Sequence, residues 1–356
     1  MQHTQPKPER IWYLDLLRII ATFAVVTLHI NSFALTASPL YTARYWIANA
    51  VTSACRFAVP VFFMISGALF LSPQKKLITA HLYKRTILRM GTCFLFWSAL
   101  YAFTYCYHTN AGKWTFLNET FRGHYHMWFI LVITGLYILT PLLRMITQHA
   151  RATRHLLLLC FVFGFLIPRL FSFILLFDFP HKDVVLSLQP TISQLNPLSE
   201  SYALFYYIMG YYLHANPPSK KIRTLIAICG AAGFFMTMFL GAMHQSLIGE
   251  FSSHFYDSPA LGAMLMGVAV FTFFGKRFSA YRPSAHAKRL ITHLSSCSFG
   301  VYVVHIIFLE HISPILPATP LGLLPGILIS TLTLYAVSHI TSFMLHCIPV
   351  LRDWVV

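Results

Sequence analysis

Charge is what this sequence has least of. Asp, Glu, Lys and Arg make up only 10% of the chain, against about a quarter in soluble domains. With 57% of residues hydrophobic, a fold in water would leave far too much apolar surface exposed. A soluble globular class is excluded, and lipid is the expected solvent. Cysteine is sparse and unpatterned. The seven cysteines are odd in number, form no C-x-x-C, and lie mostly inside apolar runs, which speaks against a disulfide framework and against a zinc site. They read as small buried hydrophobes, and no metal is expected. Fixed-period repeats and low-complexity segments are lacking too. The net charge of +16 does not imply nucleic acid, because the basic residues are spread over short loops with no aromatic-basic patch.

Long apolar runs are what the chain does have. A spanning helix needs about 20 largely apolar residues. Ten segments qualify: 11–35, 57–72, 86–107, 127–147, 155–177, 200–214, 222–244, 258–275, 294–311 and 321–347. The sixth is short, which predicts a tilted, broken or re-entrant helix. The amphipathic stretch 41–56 precedes the second span, with Pro60 expected to separate the two. The first run contains Arg18 and His29 and lacks a small-residue cleavage site, so it reads as a retained helix, not a signal peptide. The expected fold is an all-α integral membrane protein. It is a bundle of about ten transmembrane helices forming one domain over 1–356, with tails 1–10 and 348–356 in the cytoplasm.

The basic residues agree with that count. With the N-terminus inside, the far side receives only Arg44, Arg56, Lys113, Arg122 and Lys182, and Arg18 and Arg169 fall within spans. All 19 other lysines and arginines then lie in cytoplasmic segments, as the positive-inside rule requires. The outer loops 108–126 and 178–199 are the longest on their side. The first of them holds His108, His124, His126, Trp114 and Tyr125, rich content for mere connection.

Chemistry is concentrated in a few polar residues within or beside the spans. Arg18 and His29 are eleven residues apart, about 20° from whole helical turns, so they project from one face roughly 16 Å apart. Asp15, three residues before Arg18, is placed to pair with it. An arginine within a span is costly and marks a site, unless it snorkels to the interface. A neutral imidazole at His29 can take a proton from an alcohol and return it. Ser66 and Gly67 lie in Val59-Pro60-Val61-Phe62-Phe63-Met64-Ile65-Ser66-Gly67, where Gly67 allows close backbone approach, a pattern that taken alone serves helix packing more often than function. Arg85 and Arg89, beside Lys84, share a helix face and suit phosphate, though they also serve as ordinary positive-inside charge. His126 and Trp128 open the fourth span, where an aromatic belt is expected. Tyr302 and His305 share a face near the end of the ninth.

Taken in order, the segments Asp15-x-x-Arg18-(ten residues)-His29, VPVFFMISGALF, YKRTILR, HMWFILVITGLYILTPLLR, YYIMGYYL and SFGVYVVH resemble the membrane acyltransferase-3 family, from about residue 11 to about 310. The chain is similar to the short, stand-alone O-acetyltransferases of bacterial surface polysaccharides. The resemblance implies a multi-pass protein of the bacterial inner membrane. It takes an acetyl group from cytoplasmic acetyl-CoA, the acyl donor and co-substrate, and passes it to a hydroxyl of a glycan or lipid-linked glycan such as the O-antigen of lipopolysaccharide. It places the motif arginine on Arg18 and the motif histidine on His29, the latter as general base or as nucleophile, with Asp15 beside Arg18. The basic cluster falls on Lys84, Arg85 and Arg89, which with Ser66 are expected on the donor side. The H-x-W-F motif falls on His126 and Trp128, which with Tyr302 and His305 are expected around the acceptor. One departure is Ile19, where the family often has glycine. No extracytoplasmic SGNH esterase-like domain is present, so the membrane domain would complete the transfer or pass the group to a partner. A transporter or flippase for a glycan precursor or small anion is the rival class, since Arg18, His29 and His305 could line a pathway. The lack of a repeat counts against it.

Overall fold

The computed structural model of the chain describes residues 10–73, 82–174, 182–194, 200–312 and 322–356. The tail with Lys7, the stretch with Lys75 and Lys76, residues 175–181 and 195–199 around the second outer loop, and residues 313–321 lie outside the described residues. All regular elements among the described residues are helices. We number them α1 (Trp12–Ala37), α2 (Ala43–Cys55), α3 (Ala58–Phe70), α4 (Leu88–Thr109, entered through a π-helical turn at Leu82–Ile87), α5 (Lys113–Arg122), α6 (Trp128–Thr147), α7 (Ala150–Phe161), α8 (Ile167–Ile174), α9 (Lys182–Ser193), α10 (Ser201–Ala215), α11 (Lys220–Ile248), α12 (Leu261–Phe278), α13 (Ala285–Ile312), α14 (Leu323–His346) and α15 (Pro349–Trp354).

Nine helical segments among the described residues are long and apolar enough to cross a membrane. They coincide with nine of the ten predicted runs. The remaining run, 200–214, is α10. Its 15 residues reach only about 22 Å, short of the roughly 30 Å hydrocarbon core. Yet Ala203 to Ile208 are all buried, so α10 is an interior helix. Leu131, Leu142, Phe239 and Leu332 instead stand exposed on the outer surface of the bundle, as side chains facing lipid should.

The expected break at Pro60 falls elsewhere. Residues 43–70 form one potential crossing that bends at Arg56–Phe57, between α2 and α3. Pro60 is the third residue of α3, inside the first turn, where a missing N–H breaks no intrahelical bond. The bend holds Arg56, whose guanidinium lies 5.3 Å from the Tyr256 ring. Arg169, also within a span, donates to the carbonyls of His254 at 2.8 Å and Pro259 at 3.1 Å.

Two cores organise the bundle. One joins α1, α3, α6, α7, α10 and α12; the other joins α1, α2, α4, α13 and α14, with Ile130 of α6 and Ala242 of α11. Helix α1 belongs to both and so runs through the middle. At the crossing of α3 and α10, Gly67 faces the Tyr207 carbonyl and Gly210 faces the Met64 backbone, with no room for a Cβ on either side. The two backbones therefore meet directly, the close approach that small residues permit in membranes.

Candidate active site

Helix α1 brings its polar residues to the centre. Arg18 and His29 both line a cavity of 530 Å³. Ser66 of α3, Arg85 and Arg89, His126, Trp128 and Tyr302 line the same cavity. Residues from five separate stretches of sequence thus converge on one space, with arginines towards one end and histidines and aromatics towards the other.

At the arginine end, Asp15 is buried. It pairs with Arg10 at 2.5 Å and lies 3.6 Å from the Arg18 guanidinium. Ser295 of α13 completes the group: its hydroxyl donates to Asp15 at 2.6 Å and accepts from Arg18 at 3.2 Å. The carboxylate is thereby satisfied, and Arg18 is held in a defined pose. Asp15 itself does not line the cavity and touches the lining only through Arg18 and Ser295. Arg85 is exposed, and Arg89 is half-buried. Arg89 donates to the backbone carbonyl of Arg352 and to the terminal main-chain oxygen of Val356, while its Nε is buried without a partner. A guanidinium with a free donor suits an anion. Lys84 is exposed and is not among the cavity-lining residues. Tyr137, which also lines the cavity, donates to the Ser66 hydroxyl at 3.4 Å.

At the other end, the His29 ring lies 5.0 Å from that of His305 and 5.9 Å from Tyr125. His305 is fully buried and stands behind His29, not among the residues lining the cavity. Its Nδ1 lies 2.8 Å from the Tyr302 carbonyl and 3.2 Å from that of Val301. Carbonyls only accept, so Nδ1 carries the hydrogen and Nε2 carries the lone pair. That Nε2 is buried and unpartnered. His126 packs against His305 at 5.7 Å, and its Nδ1 is 2.8 Å from Nδ1 of His124. Burial, with the neighbouring imidazoles of His305, His124 and His29, pushes His126 well below the ordinary histidine range, so it is neutral at pH 7. The Tyr302 hydroxyl donates to the His126 carbonyl and fixes the turn that leads into α6. Trp128 keeps 38% of its surface exposed, leaving ring face available at the cavity.

Ser295 and Tyr137 are the residues that sequence reasoning passed over. A serine or tyrosine in an apolar helix looks like packing, and only the convergence of α1, α3, α6 and α13 gives these two a place. His124 and Tyr125 did stand out as unusual loop content.

The arrangement combines guanidiniums, hydroxyls and imidazoles around one cavity, which suits group transfer between an anionic carrier and an alcohol. No curated protein and no solved structure matches the chain with significance. The family model described as an acyltransferase domain matches residues 11–341. That match covers α1 to most of α14, including every cavity residue named above, and the chain therefore belongs to the membrane acyltransferase-3 family and is a multi-pass membrane acyltransferase.

Proposed function

We propose that this acyltransferase is an O-acetyltransferase of the bacterial inner membrane. It would move acetyl from cytoplasmic acetyl-CoA to a hydroxyl of a surface polysaccharide or lipid-linked glycan such as an O-antigen precursor. The observation that carries the proposal is the single cavity lined both by Arg85, Arg89 and Arg18 and by His29, His126 and Trp128. Arginines suit the phosphates of a nucleotide carrier. A tryptophan face beside a histidine suits a sugar and its hydroxyl.

In this reading Arg85 and Arg89 bind phosphate, and Arg18, held by Asp15 and Ser295, positions the donor between them and His29. His29 takes the proton of the acceptor hydroxyl as its oxygen attacks the thioester carbonyl. The carbon–sulfur bond breaks, and the proton passes to the departing thiolate. His305 is a positioning residue: its Nε2 lone pair can accept from a His29 N–H, which would orient the other nitrogen of His29 towards the alcohol. An acetyl-His29 intermediate is the covalent variant of the same scheme.

His29→Ala should fold and insert normally yet lower acetyl transfer by about 10²–10⁴-fold, the usual worth of a general base. Wild-type turnover in that variant would sink the mechanism. Arg85→Ala should raise the KM for acetyl-CoA while leaving that for the acceptor near its original value. The reverse pattern would assign Arg85 to topology alone. Single-turnover kinetics with a search for acetylated protein separates direct transfer from the covalent route.

A further inference from the structure

Three potential ligands with no part in acyl transfer meet on the seam between α13 and α14. His293 and Cys297 are four residues apart, hence on one face of α13. His339 reaches across from α14. One ligand atom from each residue lies within 4.8 Å of those of the other two. Nε2 of His293 and Nε2 of His339 are 3.1 Å apart. Two nitrogens on one tetrahedral zinc, at metal–nitrogen bonds of roughly 2.0–2.1 Å, stand about 3.3 Å apart. The two rings meet edge to face at 79°, so each can aim its own lone pair at a shared point.

The plain alternative is one hydrogen bond between two imidazoles. It serves this place poorly. His339 has His293 as its only hydrogen-bond partner among the described residues, and its Nδ1 is buried without one. Cys297 is buried beside the pair and adds nothing to such a bond. Phe343 lies 5.0 Å from His293, and Tyr335 stacks on His339 at 6.0 Å, walling the cluster with aromatic rings. A single cation would engage all three lone pairs at once. We propose that His293, Cys297 and His339 form a transition-metal site, with zinc as the ion their chemistry suits. Two imidazoles and a thiolate select a borderline-soft ion, not calcium or magnesium.

Binding would replace the Cys297 thiol proton, which leaves to solvent, and join the sulfur and two neutral imidazoles to the ion. The fourth position stays open for water. Ser296 and Ser298, on either side of Cys297, line the acyl-transfer cavity. The ion would therefore clamp α13 to α14 on another face of α13 from that cavity, without touching the reacting groups.

The test uses tag-free, full-length protein in detergent, stripped with chelator and titrated with cobalt(II) as a spectroscopic stand-in for zinc. One ion per chain should bind, with intense tetrahedral visible bands and a thiolate charge-transfer band. Cys297→Ser should lose the charge-transfer band. His293→Asn and His339→Asn should each weaken zinc binding by more than about tenfold, since even outer-shell changes cost that much. Gel filtration shows which variants remain folded, and the two histidine variants serve if Cys297→Ser does not. A folded wild type without tetrahedral bands would overturn the assignment. So would bands and stoichiometry that survive all three substitutions, because the ion would then sit elsewhere among the histidines.

Discussion

At the scale of single residues, the cost of burying a polar group explains most of what surrounds the cavity. Asp15 and Arg18 survive inside a bundle because Ser295 and Arg10 complete their hydrogen bonding. His126 carries the clearest consequence. Its folded pKa lies below the unfolded value of about 6.5, because burial and neighbouring imidazoles disfavour the charged form. The stability it contributes is therefore fully present above that unfolded value. As pH falls below it, the unfolded chain takes up a proton that the folded chain refuses, and stability is lost until the folded pKa is passed. Thermal unfolding in detergent should show Tm falling between pH 7.5 and 5.5. In His126→Gln, which cannot titrate, the fall should be smaller. An identical fall in both proteins would assign the acid sensitivity to other groups.

At the scale of elements, the α3–α10 crossing sets how close the site's walls can come. Alanine at Gly67 or Gly210 would place a methyl group against the opposing backbone, where nothing can rotate aside. Each substitution should cost about 1–3 kcal/mol, the usual penalty for overpacking, read as a lower Tm. Gly135 in α6 is the control, since a Cβ there meets nothing within 4 Å. Gly135→Ala should be neutral or stabilising by up to about 1 kcal/mol through helix propensity. Equal loss at all three positions would mean that helix crossing is not what Gly67 and Gly210 provide. Gly67 was legible in the sequence as a place of close approach, but its partner was not, because Tyr207 lies 140 positions further along the chain. The bend at Arg56 was misplaced for a related reason. Proline is a strong local signal, but in the first turn of a helix it is harmless, and the real discontinuity involves Tyr256.

At the scale of the whole molecule, the spans were the most legible feature, since each is a continuous apolar run that needs no tertiary information. The short run 200–214 was visible as an anomaly, and its burial explains it: α10 is surrounded by protein and need not match the thickness of the bilayer. The site was legible in part. Arg18, His29, Arg85 and His126 stand out because charge and imidazole are costly in lipid. Ser295, Tyr137 and the His293–Cys297–His339 group do not, because their meaning depends on which helices are neighbours. The orientation proposed from loop charge has a direct check. Cys347 is exposed just beyond α14, so a variant with no other cysteine should react with a membrane-impermeant thiol reagent in inside-out vesicles but not in right-side-out ones. Labelling of right-side-out vesicles would put the end of α14 outside and refute ten crossings, as nine crossings without α10 would require.

The Asp15–Ser295 contact also does something for the far end of the cavity. It pins α1 to α13 at one level, and the His29–His305 contact joins the same helices at another. From pin to imidazole is fourteen residues on α1 and ten on α13, about 21 Å and 15 Å of axial rise. The two helices run parallel, and their unequal intervals must be taken up by inclination and side-chain reach. Removing one residue between Ser295 and His305 would swing His305 by about 100° and draw it about 1.5 Å nearer the pin. The pairing of the two imidazoles is thus a matter of counting along two rods bolted at their base. A length change in either rod would uncouple the histidines without replacing either of them.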